Sequence, residues 1–281
     1  MSSDTTLVTL IREQLNGDLQ DLPVFNNVAV KLQQLLASRS FELDDIIELI
    51  GEDQSLSGRV LKVANSSYYA GLTQIATIKD AIIRLGAQEI ANMAMLASQF
   101  EYYQSANEIL NRTMQDLWRH ALACAVGAKW LTRKAGFPGL AAESFMAGLL
   151  HDIGKLALLK VLDDLERSGA VPQRLTQQLV YTLLNELHAE VGYNLMKRWN
   201  FPEFYCEVAS RHHDEWADTG NILLASVRLA NLATHKTGRC VGPHEPEIAL
   251  NDSLEARFLG LQELALEELT IVIEDADGIA A

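Results

Sequence analysis

The sequence predicts an all-α protein of two packed helical lobes, and three observations lead to that prediction. Apolar residues recur with helical spacing, as Leu43, Ile46 and Ile50 do, and no segment keeps the alternation of a β-strand. Leu, Ala, Ile and Glu are plentiful and aromatic residues are fewer, which favours helices over sheets. The 281 residues, 48% of them apolar, can bury a large core.

The predicted helices are short in the first part of the chain and longer in the second. Acidic residues at Asp44 and Asp45 suit the first turn of a helix, and Thr77 with Asp80 forms a capping signal. Leu22-Pro23 and Gly86 are expected to end helices. Helices are predicted over residues 7–20, 26–38, 43–50, 55–64, 81–85, 88–100, 173–199 and 222–230. A further helix is predicted from residue 105 through His120, and two more are predicted to contain His151 and residues 211–213.

The formal charge of −14 disfavours a surface that wraps nucleic acid, because affinity for phosphate backbones comes mainly from Lys and Arg. A helix-turn-helix with residues 55–64 as the recognition helix is an alternative, but its exposed positions offer only Arg59 and Lys62. Residues 245–281 hold ten acidic side chains against Arg257, and we interpret this run as a solvated helix face. No nucleic-acid partner is expected.

The three cysteines, Cys124, Cys206 and Cys240, are far apart and show no C-x-x-C spacing, so neither a disulfide framework nor a thiolate zinc site is indicated. The N-terminus lacks a basic segment followed by an apolar one, and no apolar run reaches the roughly 18 residues of a membrane span. We therefore expect a cytoplasmic protein with no membrane partner.

Histidines are the residues that carry a chemical signal in the second half. Five of the seven lie in four separate predicted helices, which could bring them around Asp152 in the core of a bundle. Imidazole binds Fe, Mn, Zn and Ni readily, while a carboxylate adds charge. The sequence therefore predicts a divalent metal centre in a helical bundle. The alternatives are a hydrogen-bonded core role for each histidine alone and an orienting role for Asp152. The five are His120, His151, His188, His212 and His213. Two others, His235 and His244, are interpreted as surface residues in loops.

A set of motifs in fixed order resembles the HDOD domain, the HD-related output domain of bacterial signalling proteins. The resemblance covers roughly residues 20–235 and rests on several segments. They are Leu22-Pro-Val-Phe25, residues 46–56, Arg59 to Gly71, Ile78 to Gly86, Trp118-Arg-His120, Ala147-Gly-Leu-Leu-His151-Asp152-Ile-Gly-Lys155, His188-Ala-Glu-Val-Gly192 and His212-His213. The resemblance divides the chain into an N-terminal helix (1–19), an N-terminal helical lobe (20–104), an HD-like lobe (105–240) and an acidic C-terminal segment (241–281).

The resemblance to the wider HD phosphohydrolase superfamily implies roles for the polar residues. His120, His151 and Asp152 correspond to the basic metal site, and His188, His212 and His213 to extra ligands of two-metal relatives. Asp152 and Lys155 are the candidate catalytic residues, and the resemblance implies that Lys155 contacts a phosphate group. The alternative for Lys155 is a residue at a solvated helix end with no role in the site. Two departures weaken catalysis: the late aspartate ligand is replaced by Asn231, a weaker ligand, and the Gly-Tyr-Pro element is missing after His213.

Two functional hypotheses follow from these residues. The first is a signal-transduction module that binds a protein partner or a small ligand and keeps a degenerate HD-type metal centre. The second is a metal-dependent phosphohydrolase or phosphodiesterase that acts on a phosphorylated small molecule. The phosphohydrolase requires a divalent ion such as Fe, Mn, Zn or Ni, which the signalling module can also hold, and metal analysis together with a phosphoesterase assay separates the two.

Overall fold

The fold was examined in a computed structural model, which describes residues 3–18, 24–38, 40–66, 68–69, 71, 73–171, 174–214 and 220–276. These residues form α-helices joined by turns and short 3-10 helices, and they contain no β-strand. The predicted all-α class is therefore confirmed. Across these same ranges, none of the helices combines the length and the hydropathy needed to span a bilayer.

The first part of the chain consists of short helices whose N-termini are capped by side chains. Thr77 Oγ1 accepts from the Asp80 amide at 3.0 Å, as the sequence predicts, and the carboxylate of Asp53 accepts from the Leu56 amide at 2.9 Å, a cap that was not predicted from the sequence. The predicted stop at Leu22-Pro23 lies outside the described residues. The helices are α1 (Ser3–Asp18), α2 (Asn27–Ala37), α3 (Leu43–Gly51), α4 (Gln54–Ala64), α5 (Ile78–Leu85) and α6 (Ala87–Gln99).

The second part contains the longer helices: α7 (Glu108–Lys134), α8 (Ala141–Leu150), α9 (Ile153–Arg167), α10 (Gln177–Arg198), α11 (Glu203–Arg211), α12 (Ile222–Thr237), α13 (Leu254–Phe258) and α14 (Glu263–Glu274). The helix predicted through His151 is divided there, because α8 ends at Leu150 and α9 begins at Ile153, and the helix predicted through 211–213 ends at Arg211, one residue before His212. The histidines that we predicted within these helices thus lie in the turns that follow them. The fragment Thr234 to Gly238 was predicted as a loop, and this is wrong for His235, because α12 continues through Thr237.

Helix α7 is the central element of the second part and packs against α8, α9, α12 and α14. Helix α6 is covered by α2, α4 and α5 and lies against α8, while α1 packs on α9. The buried apolar side chains form one continuous core that includes residues from both parts. The division into two lobes and the proposed domain boundaries stay predictions.

The acidic C-terminal segment contributes an amphipathic helix to this core. Leu266, Leu269 and Ile273 of α14 are buried, whereas Glu263 and Glu267 are exposed. These acidic side chains of α14 lie on a solvated face, as expected from the sequence, and the opposite face packs against α7 and α12. The expectation is wrong for Glu255 of α13, which is buried and pairs with Arg228 Nε at 2.7 Å.

Candidate metal centre

Asp152 lies at the centre of a polar cluster with only 2% of its surface exposed, and its Oδ2 atom faces three side chains. His120 Nε2 of α7 lies 3.2 Å from Oδ2 and His151 Nε2 lies 3.5 Å from it, while Lys155 Nζ donates to it at 2.7 Å. The Nε2 atoms of His120 and His151 are 3.2 Å apart. Cys124 Sγ, one turn after His120 on α7, is 3.8 Å from His120 Nε2.

The other oxygen of the carboxylate, Oδ1, faces His188 of α10 and His212 of the turn after α11. Each Nε2 lies 3.4 Å from Oδ1, and the two Nε2 atoms are 3.2 Å apart. His213 stands beside them with its ring centroid 4.1 Å from that of His212, and part of it is exposed to solvent. The carboxylate of Asp152 thus lies between two pairs of imidazoles.

Helix ends explain how two of these imidazoles are oriented. The last four carbonyl groups of an α-helix have no partner within the helix and accept hydrogen bonds from elsewhere. His151 Nδ1 lies 2.7 Å from the carbonyl oxygen of Gly148 near the end of α8, and His212 Nδ1 lies 3.0 Å from that of Ala209 near the end of α11. Each ring therefore turns its Nε2 toward Asp152.

The two histidines inside helices are held by carbonyl groups as well. His188 Nδ1 lies 2.7 Å from the Leu184 carbonyl oxygen, and His120 Nδ1 lies 3.0 Å from that of Arg239. A carbonyl oxygen can only accept, so the geometry assigns the hydrogen of all four rings to Nδ1. A neutral ring then presents the lone pair of Nε2 to the centre, which is the form that binds a metal ion.

The Oδ1 side of the cluster lacks a proton donor. Oδ1 is buried and has no hydrogen-bond partner among the described residues, although His188 and His212 lie within 3.4 Å. Two imidazole lone pairs and a carboxylate oxygen converge there, which is unfavourable unless a cation lies between them. The residues present therefore fit a divalent metal ion.

The charges of the buried groups agree with this fit. Burial alone would raise the pKa of Asp152, but Lys155 and the imidazoles hold it well below its usual range, so that the group is a carboxylate. Burial lowers the pKa of His188 to about 4 and, together with the adjacent imidazoles, that of His213 to about 3. Burial likewise lowers the pKa of His151 well below its usual value. These three rings are neutral near pH 7.

His120 behaves differently from the other histidines. Burial lowers its pKa, but Cys124 and Asp152 raise it more, and the result is a pKa of about 10. Without a metal ion, the Nε2 of His120 can therefore hold a proton and donate it to Asp152 Oδ2 at 3.2 Å. Metal ligands must lose such protons, so binding at the Oδ2 side is coupled to proton release.

A family model described as HDOD domain matches residues 22–215, which is more than half of the chain. The chain belongs to the HDOD family. A curated relative from Treponema pallidum (strain Nichols), named an uncharacterized protein, is 24% identical over 237 residues. The match covers 81% of this chain and 45% of the relative, so this HDOD chain spans less than half of that protein's length.

Three solved structures share the HDOD fold. An HDOD domain protein of unknown function from Geobacter sulfurreducens is 24% identical, with a TM-score of 0.74 and 98% of both chains covered. A Shewanella amazonensis SB2B protein with the provisional name metal-dependent phosphohydrolase is 24% identical, with a TM-score of 0.70. The match covers 98% of this chain and 99% of that protein. A Marinobacter aquaeolei VT8 protein, provisionally named a signal transduction protein, is 22% identical with a TM-score of 0.67, and 96% of this chain and 64% of that one are covered. At these identities the likeness shows the fold alone.

The structure brings together most of the site residues that the sequence predicts for this HDOD chain. His120, His151, His188, His212, His213 and Lys155 all lie around Asp152. Lys155 is 7% exposed and pairs with the carboxylate, so it is not a solvated helix end. Asn231 is buried in α12, and the hydrogen bonds of the described residues do not join its amide to Asp152 or to the histidines. Its role as a ligand stays a prediction.

Two glycines beside the histidines were missed in the sequence. A Cβ atom at Gly154 would overlap the carbonyl oxygen of His188 and lie 2.6 Å from the backbone nitrogen of Gly192. A Cβ atom at Gly148 would lie 2.7 Å from the carbonyl oxygen of Cys124. Both glycines therefore let helices that carry ligands approach closely, and their positions within three or four residues of His151 were the available signal.

His235 was expected at the surface and is instead a half-buried neighbour of the centre. Its ring centroid lies 6.2 Å from that of His120. Burial, with His120 and Lys155 adding to it, lowers the pKa of His235. His244, in contrast, is exposed in a loop, as predicted, and its Nε2 lies 2.8 Å from the carbonyl oxygen of Lys236.

An open groove of about 900 Å³ runs along α7 next to the centre. Its walls combine the aromatic rings of Phe100, Tyr103 and Trp118 with the cations of Lys160 and Arg119. Within the described part of the chain, none of the histidines of the centre lines this groove. The groove is thus lined by other residues than those of the centre.

Proposed function

We propose that this chain is a regulatory HDOD module of a bacterial signalling system whose core holds a divalent metal centre. The observation that most supports a metal centre is the position of Asp152, whose carboxylate has one pair of imidazole Nε2 atoms on each side. His120, His151 and Asp152 would hold an ion at Oδ2, and His188, His212, His213 and Asp152 would hold one at Oδ1. Fe, Mn, Zn and Ni all accept such ligands.

A binding role, in preference to turnover, is supported by the sequence. The position of the late aspartate ligand is occupied by Asn231, whose neutral amide contributes no charge, and the Gly-Tyr-Pro element is missing. The module would act in the cytoplasm through a protein partner, with the metal centre stabilising the conformation that the partner recognises.

A phosphohydrolase is the second candidate, and the position of Lys155 favours it. Its ammonium group donates to Asp152 Oδ2 at 2.7 Å and is 7% exposed, so a cation is held next to the proposed ion positions. A bound divalent ion supplies Lewis acidity and lowers the pKa of a bound water. Lys155 would orient Asp152 and neutralise part of the charge of a phosphate.

Metal analysis and a phosphoesterase assay distinguish these functions. The protein is purified without chelator and its metal content is measured beside Asp152→Asn and the control Asp44→Asn, which removes an exposed carboxylate from α3. We expect at least one equivalent of metal in the wild type and the control and far less in Asp152→Asn. Circular dichroism checks that each variant is folded.

The assay uses bis(p-nitrophenyl) phosphate with the metal-loaded protein. A rate that does not exceed that of Asp152→Asn supports the regulatory module. A rate that Lys155→Met and His151→Ala abolish supports the phosphohydrolase instead. Less than about a tenth of an equivalent of metal after loading in the folded wild type contradicts both functions, because both depend on the centre.

A further inference from the structure

Cys124 is a buried thiol on the same face of α7 as His120. The two residues are four positions apart, which places their side chains one above the other on a helix. Cys124 has 0% of its surface exposed, and its Sγ atom lies 3.8 Å from both His120 Nε2 and Thr234 Oγ1. These distances are long, so the thiol has only weak polar contacts in a site where other groups are strongly polar.

The thiol belongs to a set of converging donor atoms. One ligand atom each from His120, Cys124 and His151 lies within 4.8 Å of the others, and Asp152 Oδ2 lies 3.2 Å from His120 Nε2 and 3.5 Å from His151 Nε2. We propose that Cys124 supplies a thiolate ligand to the ion position at Oδ2. This inference rests on the proposed metal centre and names a ligand of it.

The charge of the site supports a thiolate ligand. Asn231, at the position where a second carboxylate is expected, is a neutral amide, and the Lys155 ammonium next to Asp152 adds a positive charge. Asp152 is thus the one anionic group that the proposed ions share, and a thiolate at Cys124 adds a second negative charge. Burial makes this added charge important, since an uncompensated charge is costly in the interior of a protein.

The two ion positions then differ in chemistry. Two imidazoles, a carboxylate and a thiolate are the four ligands of a closed zinc-type site, and sulfur selects Zn²⁺, Co²⁺ or Fe²⁺ over Mg²⁺ and Mn²⁺. The position at Oδ1 has only nitrogen and oxygen donors, and it includes the partly exposed His213. The Oδ2 position is thus the tightly held one, and the Oδ1 position is the one that can exchange an ion or accept an anion.

Cobalt spectroscopy tests the thiolate ligand directly. The full chain is stripped with a chelator, kept reduced and titrated with Co²⁺, while the near-ultraviolet sulfur-to-cobalt charge-transfer band and the visible d–d bands are recorded. We expect the charge-transfer band in the wild type and its loss in Cys124→Ser. The affinity of the Oδ2 position for Co²⁺ should fall by more than about tenfold in Cys124→Ser.

Cys206→Ser and Cys240→Ser are the matched controls, because their thiols contact the carbonyl oxygens of Phe201 and Pro243, and neither belongs to the groups of converging donor atoms around Asp152 among the described residues. Both should keep the charge-transfer band. Visible bands without a charge-transfer band in the wild type would overturn the role of Cys124 while leaving the metal centre intact. No cobalt bands at all would overturn both. If Cys124→Ser does not fold, Cys124→Ala is used and the same band is the readout.

Discussion

Two charged residues, Asp152 and Lys129, lie buried in the interior, each paired with an opposite charge. Lys129 of α7 is 2% exposed and donates to Glu89 Oε1 of α6, which also accepts from Tyr69 Oη at 2.5 Å. The ammonium group lies 5.2 Å from the ring centroid of Tyr69 and 5.4 Å from that of Phe145. This contact joins the first part of the chain to the second.

Removing one partner of this ion pair should destabilise the protein strongly. Glu89→Gln leaves the Lys129 ammonium buried without a counter-charge, and we expect a loss of about 3–5 kcal/mol in the free energy of unfolding. Glu52→Gln is the matched control, because its pair with Lys31 has side chains 51% and 56% exposed, and its loss should stay below about 1 kcal/mol. Urea denaturation measures both.

The double variant Glu89→Leu with Lys129→Met completes this comparison. Replacing both charges by apolar side chains leaves no buried charge, so stability should recover most of what Glu89→Gln loses. A double variant as unstable as the single one would show that the ion pair itself, and not an unpaired charge, holds α6 and α7 together.

Helix contacts determine whether the ligands can meet, and α9 and α10 approach each other closely at Gly154. Gly154→Ala would force the two backbones apart, and we expect a loss of about 1–3 kcal/mol in unfolding free energy, with weaker metal binding because His188 moves with α10. Gly58→Ala in α4 has open space around it and should stabilise by about 0.5–1 kcal/mol. Equal stability of Gly154→Ala and wild type would contradict this contact.

The two faces of α14 make the second prediction at the level of helices. Leu269 is fully buried, whereas Leu264 is 73% exposed in the same helix. Leu269→Ala should lower the free energy of unfolding by about 2–5 kcal/mol, because it leaves a cavity against the core. Leu264→Ala should change it by less than about 0.5 kcal/mol. Similar effects of the two substitutions would mean that α14 is not docked on the core.

For the whole molecule, a metal ion at Asp152 should act as a stabilising ligand. The residues around it come from α7, α10 and the turns after α8 and α11, so an ion would join elements that are distant in sequence. Zn²⁺ at a hundred times its Kd should raise the free energy of unfolding by about 2.7 kcal/mol for each position, and Asp152→Asn should remove most of this gain. Thermal unfolding with Zn²⁺, with Mg²⁺ and with chelator measures it. Equal stabilisation by Mg²⁺ would argue against imidazole ligands.

Helix positions and site residues were predictable from the sequence to different degrees. Helical periodicity is a local property, and the cap at Thr77 and the apolar stripe of α3 appear where they were predicted. The ends of α8 and α11 were misjudged by a few residues, because side chains such as His151 can follow a helix as readily as they continue it. The helical extension through His235 was missed, since its polar sequence resembles a loop.

The sequence by itself determined that the chain is helical and which histidines and which aspartate were candidate ligands, because periodicity, order of motifs and residue type are properties of the chain alone. Only the tertiary structure decided that two imidazole pairs face the two oxygens of Asp152, that backbone carbonyls hold their Nδ1 atoms, and that Cys124 joins one of the pairs. These relations depend on how closely α7 to α11 pack, and that distance is set by contacts between residues far apart in sequence, such as Gly154 with His188.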